Sequence, residues 1–545
     1  MRTLRKYLSW LWRHSEGVRW RIAAGVVLGL VNVALTLCFI WVCKRLVDIA
    51  TGEAGGSIMA YTGIVLGIIV ARLAVQALSV RIENLSVSKM NFIIRSRLYN
   101  ILLEARWSGR EKLHSGDTLN RIETDSSTVT GVICTDFQQF VTTMVQLVAA
   151  VVFLCLMDWR LALLLVVVTP LLLSFSKIFF KKMRTLTRNI RDTESRVQSH
   201  LQESLQHRVV IKSMENEPAM AERLDDLQSI EYGQVLERTR FNIFARTVVS
   251  AAFQLGYIAA FLWGVYGIWH GSITFGVMTA FLQLVGQIQR PVVNLTRQIP
   301  SFVYATASID RLMELEDAPK EEMAEPRLLN GSIGVKVDSV TFRYPDGERD
   351  ILKDFSYDFA PGSRTAIVGE TGIGKSTLVR MMLALLHPVK GSISLYNSDD
   401  SVEVSPSTRC NLVYVPQGNT LFSGTIRENL RMGDPSADDA RMAEVLETAA
   451  ASFVMDLPDG LDTVCGEGGA GLSEGQAQRI AIARGLLRGG NVLLLDEFSS
   501  SLDPETEARL MENLVSSSPG KTMIFITHRE KIAEYCHGVC RLERA

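Results

Sequence analysis

The sequence lacks an excess of either charge, and it lacks the cysteine pattern of a metal site. Lys and Arg number 57 against 58 Asp and Glu, for a formal net charge of −1. This balance gives no sign of the basic surface that a nucleic-acid partner requires, and we expect no nucleic-acid partner. The eight cysteines include no CxxC pair, so we expect reduced structural cysteines and no metal centre built on them. Internal repeats and low-complexity segments are also missing.

Long stretches of the first half contain no Asp, Glu, Lys or Arg. Ile22 to Cys43 is such a run of 22 residues, Phe137 to Met157 one of 21, and Thr247 to Gln289 one of 43. A bilayer crossing takes about 20 residues, and buried helices of a soluble core rarely stay uncharged for so long. We predict six membrane spans, at about 22–43, 57–80, 137–157, 160–180, 245–268 and 274–300.

The basic residues predict the orientation of these spans. Six Lys and Arg residues precede the first span, whereas the links at 49–57 and 270–274 contain none. By the positive-inside rule both termini are cytosolic, in a cell inner (plasma) membrane. The leader with "YLSWLW" suits a short interfacial helix. It is not expected to be a cleavable signal peptide, because the apolar run is too long and lacks a small-residue cleavage site.

Composition also predicts the domain boundaries. Two stretches, 81–132 and 181–240, are polar and nearly free of Pro and Gly, so we expect cytosolic helical extensions of the spans. "EDAPKEEMAEPRLLNGS", at 316–332, is rich in charge and Pro, as linkers are. The prediction is therefore a membrane domain at 1–315, a linker at 316–332 and a second domain at 333–545.

The second domain contains a phosphate-binding loop. Gly369-Glu370-Thr371-Gly372-Ile373-Gly374-Lys375-Ser376 matches GxxxxGK[ST], after the short strand "SRTAIVG" and before the helical "TLVRMMLALL". Strand, glycine loop and helix in that order favour a nucleotide site. The glycines let backbone amides point at the phosphates. Lys375 is expected to reach the β and γ phosphates of ATP, Ser376 to bind Mg²⁺, and Thr377 to assist.

A second motif, "NVLLLDEFSSSLD", completes the expected ATPase site. The apolar residues Val492 to Leu495 predict a buried strand that carries Asp496 to its end. There the carboxylate can hold the magnesium shell. Glu497 follows directly and is the natural general base for water, with a plain surface acid as the alternative.

Together with "LSEGQ", these residues resemble the ATP-binding cassette (ABC) family, specifically exporters with membrane and nucleotide domains on one chain. The resemblance covers essentially all 545 residues. It implies an α-helical transmembrane domain, with six long spans and cytosolic extensions, fused to an α/β P-loop NTPase domain of ABC type. The implied activity is ATP hydrolysis coupled to transport, with ATP and Mg²⁺ as cofactors.

The family's signature is usually LSGGQ, and here Leu472-Ser473-Glu474-Gly475-Gln476 has Glu in place of the first Gly. In the family, each ATP lies between one subunit's phosphate loop and the other's signature helix. The resemblance therefore implies that Ser473, Gly475 and Gln476 serve the partner's nucleotide. Such a half-transporter needs a second copy of itself or a homologous half-transporter, and the intact Glu497 favours a homodimer.

Further positions match the family one at a time. Tyr344 resembles the aromatic residue that stacks on adenine, with a core aromatic as the alternative. Gln417 resembles the glutamine that touches Mg²⁺ and water, and His528 the histidine that contacts the γ-phosphate. Asp503 resembles the loop aspartate that communicates across the dimer, and Glu467 a cross-linking loop glutamate.

Two loops resemble the family's coupling segments. These are "HSGDTLNRIETDSSTV" at 114–129 and "LQESLQHRVVIKSMENE" at 201–217. Gln206 and His207 stand where a glycine is commoner. A solvated helix is the alternative for both segments.

The cargo is the least constrained property. A set of basic residues falls toward the cytosolic ends of the spans, near Gln283, Gln287 and the kink expected at Pro291; its members are Arg72, Lys177, Arg246 and Arg290. Charges within spans are costly and often functional, so these residues form a hypothetical girdle for amphiphiles with anionic heads. The alternative is that they snorkel to the lipid headgroups.

Three functions compete on this sequence. The first is ATP-driven export of a small amphiphilic or hydrophobic substrate, and the second is lipid flipping by the same architecture. The third is an ATP-gated channel or regulator with little turnover, which the retained Glu497 and His528 disfavour. An importer is not expected, because importers of this family usually keep spans and nucleotide domain on separate chains.

Overall fold

The structure, a computed structural model, describes residues 2–107, 115–157, 159–322, 324–344, 347, 349–370, 372–466, 469 and 471–543. Within the helices, the side chains of 159–181 and of several single positions lie outside this description. The chain forms two compact units. The first contains Met1–Tyr99 and Leu119–Glu314, and the second contains Asn100–Thr118 and Leu315–Ala545.

The described part of the first unit is built of helices, some of which continue into residues of the second unit. They are α1 (Arg2–His14), α2 (Arg19–Ala50), α3 (Ile58–Glu104), α4 (Ser115–Asn120), α5 (Ser126–Gly131), α6 (Phe137–Met157), α7 (Trp159–Gln206), α8 (Arg208–Ser213), α9 (Glu217–Trp269) and α10 (Phe275–Glu316), with π-helical turns at Arg121–Asp125 and Val132–Asp136. Among the described residues, four helical stretches are long and apolar enough to cross a membrane: Arg19–Ala50, Ile58–Glu104, Asp117–Met157 and Glu217–Trp269. Phe275–Ile288 is a shorter apolar stretch. The fourth predicted span lies in the first part of α7, at 159–181, whose side chains are not described.

Apolar side chains of α2, α6, α9 and α10 form one buried cluster, which includes Ile40, Leu154, Ala260 and Phe281. A polar contact between residues distant in sequence also joins two of these helices. The Gln146 side-chain amide of α6 donates to Gln287 Oε1 of α10 at 2.6 Å. α10 continues through Pro291 without a break.

A buried carboxylate ties α10 to the turn that precedes α5. Asp125 is 3% exposed. It accepts hydrogen bonds from the Ser308 hydroxyl at 2.8 Å and from Arg311 Nε at 2.7 Å. A buried charge is tolerated when it is paired and hydrogen-bonded, so these partners explain how an acid stays inside this part of the helical unit.

At the other end of α10, Asp48 of α2 is 4% exposed. Its Oδ1 accepts from the Thr274 hydroxyl at 2.6 Å and from the Gly276 amide at 3.2 Å. The first amides of a helix have no partner within the helix, and this carboxylate satisfies one of them. A Cβ at Gly276 would lie 2.2 Å from Asp48 Oδ1, so the contact requires glycine.

Eleven strands and six helices of the second unit are described. The strands are β1 (Gly334–Phe342), β2 (Leu352–Phe359), β3 (Arg364–Val368), β4 (Lys390–Tyr396), β5 (Ser401–Glu403), β6 (Leu412–Val415), β7 (Gly424–Thr425), β8 (Val464–Cys465), β9 (Val492–Asp496), β10 (Thr522–Ile526) and β11 (Gly538–Arg541). The helices are α11 (Lys375–Met382), α12 (Ile426–Arg431), α13 (Asp439–Thr448), α14 (Glu474–Arg488), α15 (Pro504–Ser517) and α16 (Glu530–Glu534).

A parallel sheet of order β11-β3-β10-β9-β6 is the core of this unit, beside an antiparallel sheet of order β2-β1-β4-β5 and the β7-β8 pair. Every residue of β9 and of β10 is buried. Continuous apolar runs are typical of strands covered on both faces. Parallel strands present their carboxyl ends on one edge, where ligands of such sheets bind.

The segment that ends α3 packs with the second unit rather than with the other membrane helices. The Arg106 amide donates to Pro319 O at 2.8 Å, and Lys320 pairs with Glu104 at 2.7 Å. Trp107 packs against the core around β1 and β3, with the Arg380 guanidinium 4.9 Å from its ring centroid. Part of the predicted membrane domain 1–315 therefore belongs to the second unit by its contacts. The predicted domain boundaries remain a prediction.

Candidate nucleotide site

The glycine loop follows β3 and ends at the first turn of α11. Gly372 and Gly374 have φ values of +83° and +113°, in the left-handed region that favours glycine. A Cβ at Gly374 would also lie 2.7 Å from Ile351 Cγ2. Thr371 lies outside the described residues. The two glycines before Lys375 thus adopt conformations that glycine favours, while phosphate binding by Gly369 to Ser376 stays a prediction.

Six of the predicted residues meet at the carboxyl edge of the parallel sheet. Lys375 Nζ lies 3.2 Å from His528 Nε2, and that nitrogen lies 3.0 Å from Glu497 Oε1. The Gln417 side-chain amide donates to Glu497 Oε2. The Ser376 hydroxyl donates to Asp496 Oδ2 at 3.1 Å. The cluster therefore consists of Lys375, Ser376, Gln417, Asp496, Glu497 and His528.

His528 Nε2 has two neighbours that it cannot satisfy together. A ring nitrogen either donates a proton or accepts one. It can therefore donate to the Glu497 carboxylate or accept from the Lys375 ammonium, which also donates to Gly369 O at 2.6 Å. The His528 ring can therefore exchange a hydrogen bond to Glu497 for one from Lys375.

Burial shifts the pKa values of two groups of the cluster. Desolvation lowers the pKa of Lys375, and the nearby Glu497 and Asp496 carboxylates oppose that shift. Desolvation raises the pKa of Asp496, which is 4% exposed, and the hydrogen bond from Ser376 opposes it. Both shifts make the charged forms less favourable than in water. A bound metal cation would therefore be strongly attracted to the Asp496 carboxylate. Phosphate oxygens would be strongly attracted to the Lys375 ammonium.

The backbone at Glu497 is strained. Its φ is +44°, a conformation that is uncommon for a residue other than glycine. The Glu497 amide donates to Ile526 O at 2.9 Å, and Gln478 Nε2 of α14 donates to Glu497 O at 3.0 Å. These two bonds hold the left-handed turn that aims the carboxylate at Gln417 and His528.

Tyr344 lies beside the loop helix. Its hydroxyl is 3.2 Å from Thr377 Oγ1, and its ring packs edge-on against Phe342 at 5.0 Å. The ring also packs on the core around β1. Adenine stacking on Tyr344 remains a prediction, because the core packing agrees with the alternative as well.

The predicted signature residues start α14. Ser473 is the N-cap residue, with the Gln476 amide donating to its Oγ at 3.2 Å and the Ser473 amide donating to Gln476 Oε1 at 2.9 Å. This reciprocal pair is a capping box. Gly475 lies close to the loop before α15, since a Cβ there would be 2.7 Å from Ser501 O. Asp503 caps α15, and hydrogen bonding from the Thr506 amide lowers the pKa of Asp503.

The signature residues and the phosphate loop form two separate groups on one chain. Within the described residues, no hydrogen bond joins Ser473 or Gln476 to Lys375, Ser376 or Glu497. Amides at a helix start are suited to hold an anion. The amides at the N-terminus of α14 can therefore bind an anion, and the cluster around Lys375 and Glu497 in the same chain does not use them.

Sequence reasoning missed several residues that support the site. Gln478 holds the Glu497 carbonyl, and the Tyr414 hydroxyl lies 3.4 Å from Asp496 Oδ2. Burial raises the pKa of Tyr414, so it stays a hydrogen-bond donor. Arg529 donates to the Ser500 and Leu502 carbonyls at 3.2 and 3.4 Å. The only signal for Tyr414 and Arg529 is that they lie near Gln417 and His528 in the sequence.

Of the remaining predicted positions, Glu467 lies outside the described residues. Arg72 is half-buried, with its guanidinium 6.0 Å from the Phe39 ring centroid, and Arg246 is exposed. The side chains of Lys177 and Arg290 are not described. The basic girdle therefore remains a hypothesis. Both predicted coupling segments contain a six-residue helix, α4 in the first and α8 in the second.

Two family models match the chain. Residues 22–292 match the one described as "ABC transporter transmembrane region", and residues 352–500 match the one described as "ABC transporter". Their order along the chain is the order of the two units.

Curated relatives are similar over almost the whole length. Proteins named "Putative multidrug export ATP-binding/permease protein", from Staphylococcus aureus strains NCTC 8325 and COL, are 28% identical to the chain over 542 residues. These alignments cover 96% of this chain and 92% of each relative.

A solved structure described as a bacterial Atm1-family ABC exporter with ATP bound has the same fold. Its TM-score is 0.81 at 23% identity, and the alignment covers 97% of this chain and 94% of that chain.

Proposed function

Because the chain belongs to the ABC transporter family, as an ATP-driven exporter with one membrane region and one nucleotide domain, we propose that it works as a dimer in which each ATP is shared. One subunit supplies the Lys375 loop and the other supplies the Ser473 helix start. The observation that carries this proposal is the separation of these two anion-binding groups within one chain.

The roles of the clustered residues follow from their chemistry. Lys375 and the loop amides hold the phosphates of ATP. The carboxylate of Glu497 accepts a proton from the attacking water, oriented by Gln417. His528 lies between Glu497 and Lys375 and exchanges its hydrogen bond as the γ-phosphate charge arrives. Asp503 lies at the start of α15, next to the loop that Gly475 approaches, and is suited to report the state of the signature helix.

The donor set fits Mg²⁺. This ion prefers oxygen ligands and usually takes one or two from the protein and others from substrate phosphates. The Asp496 carboxylate and the Ser376 hydroxyl are such ligands, 3.1 Å apart, with Gln417 at the edge of the cluster. When bound, Mg²⁺ neutralises phosphate charge. Asp496 and Ser376 would hold the ion, which leaves Glu497 free to act on water.

The substrate we propose is a small amphiphilic or hydrophobic solute, moved out of the cytosol across the cell inner (plasma) membrane. Support comes from the apolar spans and from the relatives, which are named for multidrug export. Lipid flipping by the same mechanism is the nearest alternative. A gated channel is less well supported, because Glu497 makes the contacts of a working base with Gln417 and His528.

Mixed dimers test the shared site. Chains with Lys375→Ala and chains with Ser473→Ala, each with a different affinity tag, are co-expressed and isolated by both tags. If ATP is shared, the mixed dimer has one site with an intact loop and an intact signature, and one with both defects. We expect the ATPase activity of the mixed dimer to exceed that of the Lys375→Ala homodimer and that of the Ser473→Ala homodimer by at least about tenfold.

A matched preparation separates sharing from simple recovery. In this control dimer, one chain carries both substitutions and the other is wild type. It also has one intact and one mutated loop, and one intact and one mutated signature. If ATP is shared, however, each of its sites contains one defect and neither is wholly intact. Equal activity of the two preparations, or ATPase activity at full rate in a strictly monomeric preparation, would contradict the shared site.

A further inference from the structure

A cavity of about 390 Å³ opens in the first unit between α10 and the stretch from α5 to the start of α6. Cavities that bind small molecules have volumes of about 300–1,000 Å³. Its polar wall consists of Ser127, Thr128, Thr135, Asp136, Ser301 and Tyr304. The cavity is large enough for the head of a small amphiphile, and hydroxyl groups surround it.

A π-helical turn shapes one side of this cavity. Val132–Asp136 is the second of the two π-helical segments, and it brings Thr135 and Asp136 into the wall. π-helical turns are rare and are frequent at functional sites. The third predicted span begins at the next residue, Phe137, so the cavity lies at the cytosolic end of that span.

Among the described residues that line the cavity, Asp136 is the one with a charged side chain. It is half-buried, and no other described residue donates a hydrogen bond or ion pair to its carboxylate. In this it differs from Asp125 and Asp48, which have their partners within the fold. A carboxylate beside a membrane that lacks an internal partner is expected to attract a cation.

The Tyr304 ring, on the opposite side of the cavity, already holds a cation. The Arg191 guanidinium of α7 lies 5.2 Å from the ring centroid. Aromatic faces attract guanidinium and ammonium groups within about 6 Å. The Tyr304 side chain is 51% exposed, so part of it stays accessible to a second positive group, while Arg191 itself is outside the cavity wall.

We propose that this cavity is the cytosolic site at which the exporter receives its substrate, and that the substrate head is an organic cation. Asp136 neutralises the charge, Tyr304 supplies the aromatic face, and the hydroxyls of Thr135 and Ser301 solvate the head. This inference rests on the proposed export function and gives its substrate a class. It differs from the girdle hypothesis, which requires anionic heads.

Two probes of equal shape and opposite charge test the proposal. Binding of tetraphenylphosphonium and of tetraphenylborate is measured by equilibrium dialysis to the full-length protein in nanodiscs without nucleotide, with empty nanodiscs as background. We expect saturable binding of the cation. Asp136→Asn should weaken it by at least about tenfold, and Tyr304→Leu by about threefold, with Tyr304→Phe close to wild type.

Arg191→Gln should tighten cation binding, because it removes a positive charge from the same ring. Asp192→Asn, an exposed acid on α7, is the matched control and should leave binding unchanged. Saturable binding of tetraphenylborate instead of the cation, or cation binding that Asp136→Asn leaves unaltered, overturns the proposal. Thermal unfolding of each variant confirms that it is folded.

ATPase activity of the wild-type preparation separates this inference from the proposed function. Active enzyme without Asp136-dependent binding would overturn the cavity as the substrate site and leave ATP-driven export in place. Asp136-dependent binding by a protein that does not hydrolyse ATP would support the cavity and contradict the proposed function.

Discussion

Glu497 combines a reactive side chain with a strained backbone. A left-handed conformation of a residue other than glycine costs about 1–3 kcal/mol, and here bonds from Gln478 and to Ile526 O maintain it. A substitution that keeps the shape therefore changes the chemistry while leaving the turn in place. Glutamine at this position meets that condition.

We expect Glu497→Gln to lower ATPase turnover by about 10²–10⁴-fold, the usual contribution of a general base, while ATP binding persists. Cross-linking or sizing with ATP should show closed dimers that accumulate. Glu512→Gln, an exposed acid on α15, is the control and should match wild type. Turnover within twofold of wild type in Glu497→Gln would exclude this residue as the base.

Gly475 offers a second test at this scale. A Cβ there would lie 2.7 Å from the Ser501 carbonyl oxygen, so Gly475→Ala should push α14 away from the loop before α15. Overpacking of this kind costs about 1–3 kcal/mol, and ATPase activity should fall. Gly233→Ala is the matched control, because its Cβ meets nothing within 4 Å. A Gly475→Ala protein as active and as stable as the control would show that the loop relaxes freely.

The residues that face the phosphates could be predicted because short motifs carry them. Lys375 follows a glycine loop, Asp496 ends an apolar strand, and His528 follows another. Their supports could not be predicted. Gln478 reaches Glu497 and Tyr414 reaches Asp496 only because strands distant in sequence are neighbours in the parallel sheet.

At the scale of elements, Arg409 stabilises the end of the loop helix. It donates to Leu383 O at 2.6 Å and Ala384 O at 2.9 Å, directly after α11. Basic groups at such ends satisfy carbonyls that lack helical partners. Arg409 also forms a bidentate pair with Glu321 in the predicted linker, one contact being 2.7 Å. The linker therefore contributes to the support of the helix that begins with Lys375.

This pair predicts an acid-sensitive contribution to stability. The hydrogen bond from Arg409 lowers the pKa of Glu321 below its ordinary value of 4.5. A lowered pKa means that the contribution is present above about pH 4.5 and is lost as the pH falls through the lowered value. Thermal unfolding of the full chain in micelles should show wild type more stable than Glu321→Gln at pH 7, with the difference shrinking under acid.

Glu322→Gln removes a neighbouring exposed acid and serves as the control for that comparison. A difference between wild type and Glu321→Gln that stays constant from pH 7 into the acid range would contradict the ion pair.

The pattern of polar and apolar residues could not predict the two π-helical turns that precede α6. The stretch 114–129 is polar and suits an exposed helix, yet Asp125 is buried because Ser308 and Arg311, far along the chain, pair with it. Two π-helical turns accompany that packing. Long apolar helices, by contrast, follow from composition alone, and α2, α3, α6 and α9 contain predicted spans.

For the whole molecule, the distribution of basic residues predicts the orientation. An epitope inserted after Gly55, in an exposed link between α2 and α3, should bind antibody on intact spheroplasts. An epitope after the C-terminus should bind only once the membrane is permeabilised. Labelling of the C-terminal epitope on intact spheroplasts would reverse the predicted direction of transport.

The bonds from Thr274 and Gly276 to Asp48 fasten the beginning of α10 to the end of α2. If the transport cycle preserves these bonds, the end of α2 and the beginning of α10 must move together as one rigid body. The opening through which the substrate leaves then has to form between other pairs of helices. Release of the substrate would not separate the end of α2 from the beginning of α10.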